Sequence, residues 1–569
     1  METPRATLGW TISILFLMHV ISWGESTKPI PEQMKYIGIS YDIIRGNPEG
    51  DKNSGGVDPG LMTTRRVLKL TYDEGRLSKD NEYRIPDQVD YERRSSSYTS
   101  KEKDTYYGTK SYAKKLSHQV AVDASVEAVF AQVEFAASHQ YKSVQNDEST
   151  SGFVYFSEQT INNYGSIRYK MGLARDAGFE PSREFIATAC DLPVNYDRDA
   201  YMEFLSNWGT HAVIKADLGA RSGTTYREDK SSFIKDSTTD MSNSLSVSGS
   251  YKIVSGSLAL DMDRFTQDGS SQKKFGSVQK EYSVGTAEHN EPISIKLIGI
   301  NEALDDTFWT KQQEYEASGD CPTNWQRVTI QANILKAFGD YPEHRRVTPS
   351  EDIDVSLELT WPDGKYALPE AATLSGDTCP NTEHLTWDFG MLYQVTTNSG
   401  NTCSRGNHLT NYCTKDFRTY YCTKNTAKAA PSSWPWMPGV YCVFKVGQTC
   451  PNRFNDGSIR WNDVNRGIDP FYTAMPTGTY EEGPTEINYC CREDGSASIP
   501  IILPTQKSFF LMKYHSACQE VLGMTVTEES LEWGTNEARP SQWQDGVHPR
   551  PGNTGHNVMI KYCFYQPQN

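Results

Sequence analysis

Ten of the twelve cysteines in this 569-residue chain fall between Cys379 and Cys563, and this clustering constrains the fold more than any other feature. The ten are Cys379, Cys403, Cys413, Cys422, Cys442, Cys450, Cys490, Cys491, Cys518 and Cys563. An oxidising compartment turns such a cluster into a disulfide framework. Up to five bridges, at about 2–4 kcal/mol each, can hold a polar domain that has little aliphatic core. The adjacent Cys490 and Cys491 point to opposite faces of a strand and can staple it on both sides. Zinc is the competing use of these thiols, but no paired C-x-x-C spacing is present. Neither a metal nor a cofactor is expected. Cys190 and Cys321 stand apart in the first half. They pair with each other, or one of them bonds a partner chain, and the sequence leaves both open.

The chain accordingly divides near residue 350. Residues 25–347 are poor in cysteine and mix helical with alternating periods, whereas residues 361–569 are rich in Cys, Trp, Pro and Gly, with short runs between turn signals. Residues 348–360 read as a linker. A short theme recurs in the second half at Pro362 to Tyr366, Pro438 to Tyr441 and Pro476 to Tyr480, each a turn that launches a strand through Tyr. At the N-terminus, Arg5, the apolar run Ile12 to Ile21 and the small residues Ser22 and Gly24 read as a signal peptide over residues 1–24. Secretion is therefore expected, and no Asn-x-Ser/Thr sequon is present.

Charge and composition exclude several classes. With 56 Lys plus Arg against 72 Asp plus Glu, the formal charge is −16, and an acidic chain repels phosphate, so nucleic acid is not expected as a partner. Apolar residues make up 37% and mean hydropathy is −0.61, which leaves no room for multiple spanning helices of roughly 20 apolar residues each.

The segment from Asp199 is the most informative part of the first half. Tyr201, Phe204, Leu205 and Trp208 fall on one helical face, with Asp199 as the expected N-cap and Gly209 as the terminator. Beyond it, Ala212, Ile214, Ala216 and Leu218 alternate with Val213, Lys215 and Asp217, as in a half-buried strand. Tyr201 followed by Trp208-Gly209-Thr210-His211 resembles the signature of the membrane attack complex/perforin (MACPF) family. The resemblance implies an α+β domain, a bent antiparallel sheet flanked by helical clusters that unfurl into membrane-inserting hairpins. A core role for His211 is preferred over a catalytic one.

Two segments suit such a switch. In the first, Val122, Val126, Val129, Val133 and Ala136 sit at helical spacing, while Val120, Val122, Val126 and Phe130 also belong to an alternating apolar face. In the second, Leu245, Val247, Tyr251 and Ile253, and after a phase shift Val254, Leu258 and Leu260, alternate with mostly polar residues. A membrane-spanning β-strand needs this pattern over about 9–11 residues. The family often carries paired glycines where the sheet bends; here the pattern departs, and only Gly285 stands at the corresponding place.

The second half resembles the C-terminal domain of apextrins. The residues carrying this are Trp361 to Tyr366, Gly439 to Cys442, Cys450-Pro451, Ser458 to Trp461, Tyr489 to Gly495, Cys518-Gln519 and Tyr562-Cys563. The arrangement is similar to that of invertebrate apextrin-like proteins and of the large subunit of snail-egg perivitellin-2 toxins. It implies a disulfide-rich, mainly β domain that recognises glycans in some members; Trp434, Trp436 and Trp461 are candidates for stacking on sugar rings, with the core of a small domain the preferred place for any one of them. No enzymatic signature is present: there is no Gly-x-Ser-x-Gly elbow, phosphate-binding glycine loop or His-Glu-x-x-His helix. The reading is a secreted, non-enzymatic pore-former that binds a glycan or receptor, assembles as a homo-oligomer and inserts into a lipid membrane. The alternative is a non-lytic glycan-binding, matrix or egg protein on the same scaffold.

Overall fold

The computed structural model describes residues 28–50, 57–122, 124–150, 152–171, 180–241, 251–254, 257–262, 275–371, 379–395, 401–409, 416–428, 434–461, 465–480, 484–534, 543–549, 552–554 and 557–568. The expected signal peptide lies outside them. The chain forms two compact units: one takes in residues up to Thr150, Phe156–Tyr226 and Val278–Asp352, the other Ser151–Tyr155, Arg227–Ser277 and Ile353–Asn569. The second unit thus includes residues 227–277 as well as the cysteine-rich half.

The first unit is built on a curled sheet. Its strands include β1 (Ile39–Tyr41), β2 (Leu61–Arg66), β3 (Val89–Tyr106), β4 (Val120–Ala121), β5 (Phe153–Tyr169), β6 (His211–Asp229), β9 (Ser277–Val284) and β10 (Glu291–Gly299). The path β2-β1-β6-β10-β4 is extended by β3 on β5, and by β5 and β9 on β6. Pairing of β6 with β1 and with β10 is antiparallel, while β4 runs parallel to β10. Helices α1 (Thr109–Ser117), α2 (Ala124–Phe130) and α3 (His139–Thr150) lie between β3 and β5 in the chain. After them come α4 (Arg183–Cys190), α5 (Arg198–Trp208), α6 (Lys230–Met241), which belongs to the second unit, α7 (Gln312–Ser318) and α8 (Arg327–His344).

Local sequence accounts for α5. Its cap is Asp197, two residues earlier than expected, whose carboxylate accepts from the Asp199 and Ala200 amides at 3.1 and 3.3 Å. Gly209 ends it at φ +67°. Tyr201, Phe204, Leu205 and Trp208 are all buried, as the periodicity predicts.

Among the described residues of the second unit, fourteen strands form one sheet from Tyr366–Pro369 to Asn557–Pro567. Its strand Val440–Lys445 is buried at all six positions. Successive residues enter different cores: Tyr441 and Val443 join Trp361, Trp387 and Trp436, while Cys442 and Phe444 join Trp461, Trp533 and Tyr562. A sheet covered on both faces makes an alternating pattern unnecessary. The three recurring turns share one device. Tyr366, Tyr441 and Tyr480 each donate their hydroxyl to the carbonyl four residues upstream, on Pro362, Met437 and Pro476, at 3.1, 2.6 and 3.1 Å.

Disulfides join Cys379–Cys422, Cys442–Cys491, Cys450–Cys490 and Cys518–Cys563. Cys403 is also disulfide-bonded, and Cys413 lies outside the described residues. Cys490 and Cys491 bond to opposite sides, as their adjacency in a strand requires. Cys190 and Cys321 pair with each other, the first of the two alternatives the sequence left open, so neither is available for a disulfide-linked partner chain. The sequence separation of 131 hid a proximity that α4 and the loop after α7 create.

Candidate functional site

The Trp208-Gly209-Thr210-His211 turn joins α5 to β6 and clamps the β1 end of the sheet. A Cβ at position 209 would lie 2.7 Å from the Tyr41 carbonyl oxygen, so only glycine fits this turn and its positive φ. The Thr210 amide donates to that same carbonyl at 2.9 Å, and Thr210 Oγ1 accepts from the Ile43 amide at 3.1 Å. Trp208 meets Phe185 edge-on at 5.1 Å between centroids. Tyr201 donates to the Pro193 carbonyl at 2.9 Å and accepts from Asn333 at 3.1 Å, tying α5 to α8. His211 is fully buried, and burial depresses its pKa to about 3, so the imidazole is neutral. Its Nδ1 lies 2.7 Å from Thr210 Oγ1, whereas Nε2 has no hydrogen-bond partner among the described residues. This is a core histidine, as expected, with one ring nitrogen hydrogen-bonded.

The first candidate segment packs on this corner. Val120 is buried in β4, Val126 and Phe130 are buried one turn apart on α2, and Val133 and Ala136 are buried in the turns that follow. Val122 is half-buried, and Val129 is 40% exposed, which corrects its place on the helical stripe. The buried face of α2 is the i, i+4 pair Val126/Phe130, and Val129 is rotated about 80° off its centre at roughly 100° per residue.

A buried ion cluster, absent from the sequence reading, anchors α1. Lys115 pairs with Glu49, and Lys280 of β9 reaches the other Glu49 oxygen at 3.3 Å. Burial alone would raise the Glu49 pKa, but Lys115, Lys280 and Arg221 together hold it at about 2. At the start of α1, the Ser111 amide and hydroxyl donate to Asp352 at 2.7 and 2.8 Å, a cap supplied from across the sequence.

The second candidate segment forms part of a different sheet. Strands β7 (Tyr251–Val254) and β8 (Ser257–Leu260) form a hairpin, and β8 pairs antiparallel with β11 (Ser356–Glu358), setting Leu258 opposite Leu357 and Ala259 opposite Ser356. Tyr251, Leu258 and Leu260 are buried, Ile253 is half-buried, and Val254 lies at the end of β7. Leu245 and Val247 lie outside the described residues.

Gly285 follows β9 at φ +70°, and a Cβ there would lie 2.4 Å from the Gly219 carbonyl oxygen of β6. The next residues turn through Thr286 and His289 into β10, which pairs with the same strand β6.

Of the glycan-stacking candidates, two take the alternative of core packing. Trp461 is completely buried and Trp436 is 4% exposed, each inside one of the two cores, so neither face is open to a sugar. A compact two-sided β domain consumes its aromatics internally. Trp434 is half-buried, with its carbonyl accepting from the Asp363 amide at 2.8 Å. Among the described residues, Glu358, Glu383 and His384 bring potential ligand atoms within 4.8 Å of one another, all three exposed. Among the described residues, no helix is long and apolar enough to cross a membrane, which says nothing about strands.

A curled antiparallel sheet, closed by the α5–β6 turn and interrupted by two inserted segments, defines a perforin-like protein. Residues 27–316 match the MAC/Perforin domain, and the chain belongs to that family. Residues 361–565 match the C-terminal domain of apextrin. Among curated proteins, none matches the sequence. Solved structures similar to this one include GNIP1Aa from Chromobacterium piscinae, at 12% identity over 86% of this chain and 89% of that one, with a TM-score of 0.33. Astrotactin-2, a vertebrate-specific perforin-like membrane protein, aligns at 7% identity over 83% and 69%, with a TM-score of 0.26. A MAC/Perforin-domain protein from Bacteroides thetaiotaomicron aligns at 11% over 63% and 70%, with a TM-score of 0.27.

Proposed function

We propose that this is a secreted pore-forming protein. It binds a target surface through a glycan, receptor or divalent cation, assembles into a ring of identical subunits, and inserts hairpins from the two segments. The observation that carries this reading is the β7–β8 hairpin, whose apolar residues alternate with polar ones while buried in the free chain. An apolar face hidden in the monomer and able to face lipid in an assembly is what conditional insertion requires. Closure into a barrel follows, since an open edge would leave backbone groups unpaired in lipid. A net charge of −16 opposes adsorption to anionic bilayers, which is why a specific target is invoked. Gly285 is assigned to the bend that must change when the sheet opens.

The test locks the hairpin in place. Cysteines at the paired positions Ala259 and Ser356 join β8 to β11 when oxidised. Dye release from liposomes made of target-cell lipid should vanish in the oxidised protein and return on mild reduction. Equal release in both states overturns insertion through this segment.

A further inference from the structure

Five cations line one cleft of about 740 Å3 in the first unit: Arg76, Arg168, Lys170, Lys215 and Lys296, with Asp90 the one carboxylate among them. Such a concentration runs against the charge of the chain, which is −16. The strand register sharpens it. Pairing of β6 with β10 sets Lys215 directly opposite Lys296. Like charges facing each other across an antiparallel pair are destabilising, so the fold carries a cost here. Between this pair and Val213↔Leu297 the register shifts, leaving Ile214 as an extra residue on β6. Ile214 lines the same cleft. Bulges of this kind recur next to functional sites, where they re-aim a side chain.

Three neighbouring carboxylates, Asp90, Asp217 and Asp87, are already engaged, and Glu74 also lies close enough to act on Lys170. Asp90 is shared between Arg76 at 3.6 Å and Arg168 at 3.3 Å. Asp217 takes Lys215 Nζ at 3.0 Å and the Ser294 hydroxyl at 2.9 Å. The Asp87 carboxylate accepts from the Asp73 and Glu74 amides at 2.8 and 3.3 Å. Among the described residues, Lys170 Nζ reaches only the Asp87 carbonyl, at 2.8 Å, and burial followed by the nearby Arg76 charge pushes its pKa down. Lys296 is exposed and has no carboxylate partner among the described residues. Positive potential is therefore left over on this face, in a cleft whose volume falls in the small-ligand range of roughly 300–1,000 Å3.

We propose that this cleft binds a sugar-sized polyanion, with sulfate or phosphate groups set against Lys215 and Lys296 and within reach of Arg168. Paired cations held by a sheet are pre-organised for two anionic groups on one scaffold, a geometry that flexible surface lysines lack. The site does not depend on pore formation and would serve a lytic or a non-lytic protein alike.

The probe is sucrose octasulfate, titrated calorimetrically into the full chain at low and at high salt. Binding should be present at low salt, weaken as salt screens the charges, and fall at least about tenfold in the double variant K215Q/K296Q. The unliganded double variant should melt within about two degrees of the parent, since it removes the Lys215–Lys296 repulsion together with the partly exposed Lys215–Asp217 ion pair. Pelleting with vesicles containing a phosphoinositide tells the two sources of the anion apart: capture that the double variant loses assigns a lipid headgroup, and soluble-probe binding without capture assigns a glycan. Absence of binding to both probes at low salt, or equal affinity in parent and variant, overturns the proposal. A variant that melts lower while binding normally also overturns it, because the lysines would then serve the fold alone.

Discussion

Phe130 at the end of α2 and His211 at the start of β6 pack with ring centroids 5.7 Å apart, and Phe338 of α8 closes the other side of Phe130 at 5.3 Å. One aromatic of the first candidate segment is thus the plug of the family's signature turn. Truncation to Phe130→Ala should cost about 3–5 kcal/mol, the range for removing a large buried ring. Val129→Ser, one residue away on the exposed side, should change stability by less than about 0.5 kcal/mol. Urea denaturation followed by a probe in the first unit separates the two, and similar effects from both would show that α2 is not docked through Phe130.

The pH dependence of this corner has two opposing parts. His211 has a folded pKa near 3 because burial disfavours the imidazolium. The unfolded chain titrates near 6.5. Its contribution is complete above pH 6.5 and is lost as pH falls toward 3, several kcal/mol in all. His211→Gln should flatten that acid limb. Glu134 runs the other way: burial, with the Glu127 charge adding, raises its pKa to about 7. Its contribution is present below the unfolded value near 4.5 and is lost as pH rises through 7. Glu134→Gln should therefore match the parent at pH 4 and be about 3 kcal/mol more stable at pH 8. Thermal melts across pH 3–8 decide both, and parallel curves for parent and variants would refute the assignment.

Gly285 tests the bend. At φ +70° a side chain adds strain of about 1–2 kcal/mol, and at this position a Cβ also meets the Gly219 carbonyl. Gly285→Ala should lower the melting temperature of the first unit by several degrees, whereas Gly319→Ala, which shares the positive φ but faces open space, pays only the backbone part. Equal losses at the two sites would remove the close approach as a cause.

The Cys190–Cys321 bridge predicts a chain without disulfide-linked partners through these residues. Non-reducing electrophoresis should show no mass shift that Cys190→Ala/Cys321→Ala abolishes. The double variant should lose about 2–4 kcal/mol, since the bridge closes a loop of more than a hundred residues. A reducible dimer that disappears in the variant would reverse the assignment.

What the sequence determined by itself is the part of this protein written in short-range chemistry. Tyr201, Phe204, Leu205 and Trp208 share a face because of the helical repeat, Gly209 ends the helix because only glycine enters that conformation cheaply, and Cys490 and Cys491 diverge because a strand alternates. The three Pro-to-Tyr turns were likewise visible, although not the hydroxyl bond that each one closes. The tertiary structure decided whatever depends on residues far apart in the chain. Asp197 displaced Asp199 as the cap by the path of one loop, and Val129 left the stripe because α2 docks through Val126 and Phe130. Trp436 and Trp461 went inward because the β domain is covered on both faces, which no single strand can announce. Lys115 found Glu49, Cys190 found Cys321 and Lys215 came to face Lys296 only when the sheet closed. Periodicity reports which side of an element is apolar; it carries no information about which charge, thiol or ring from elsewhere will be set against it, because that is fixed by register and packing.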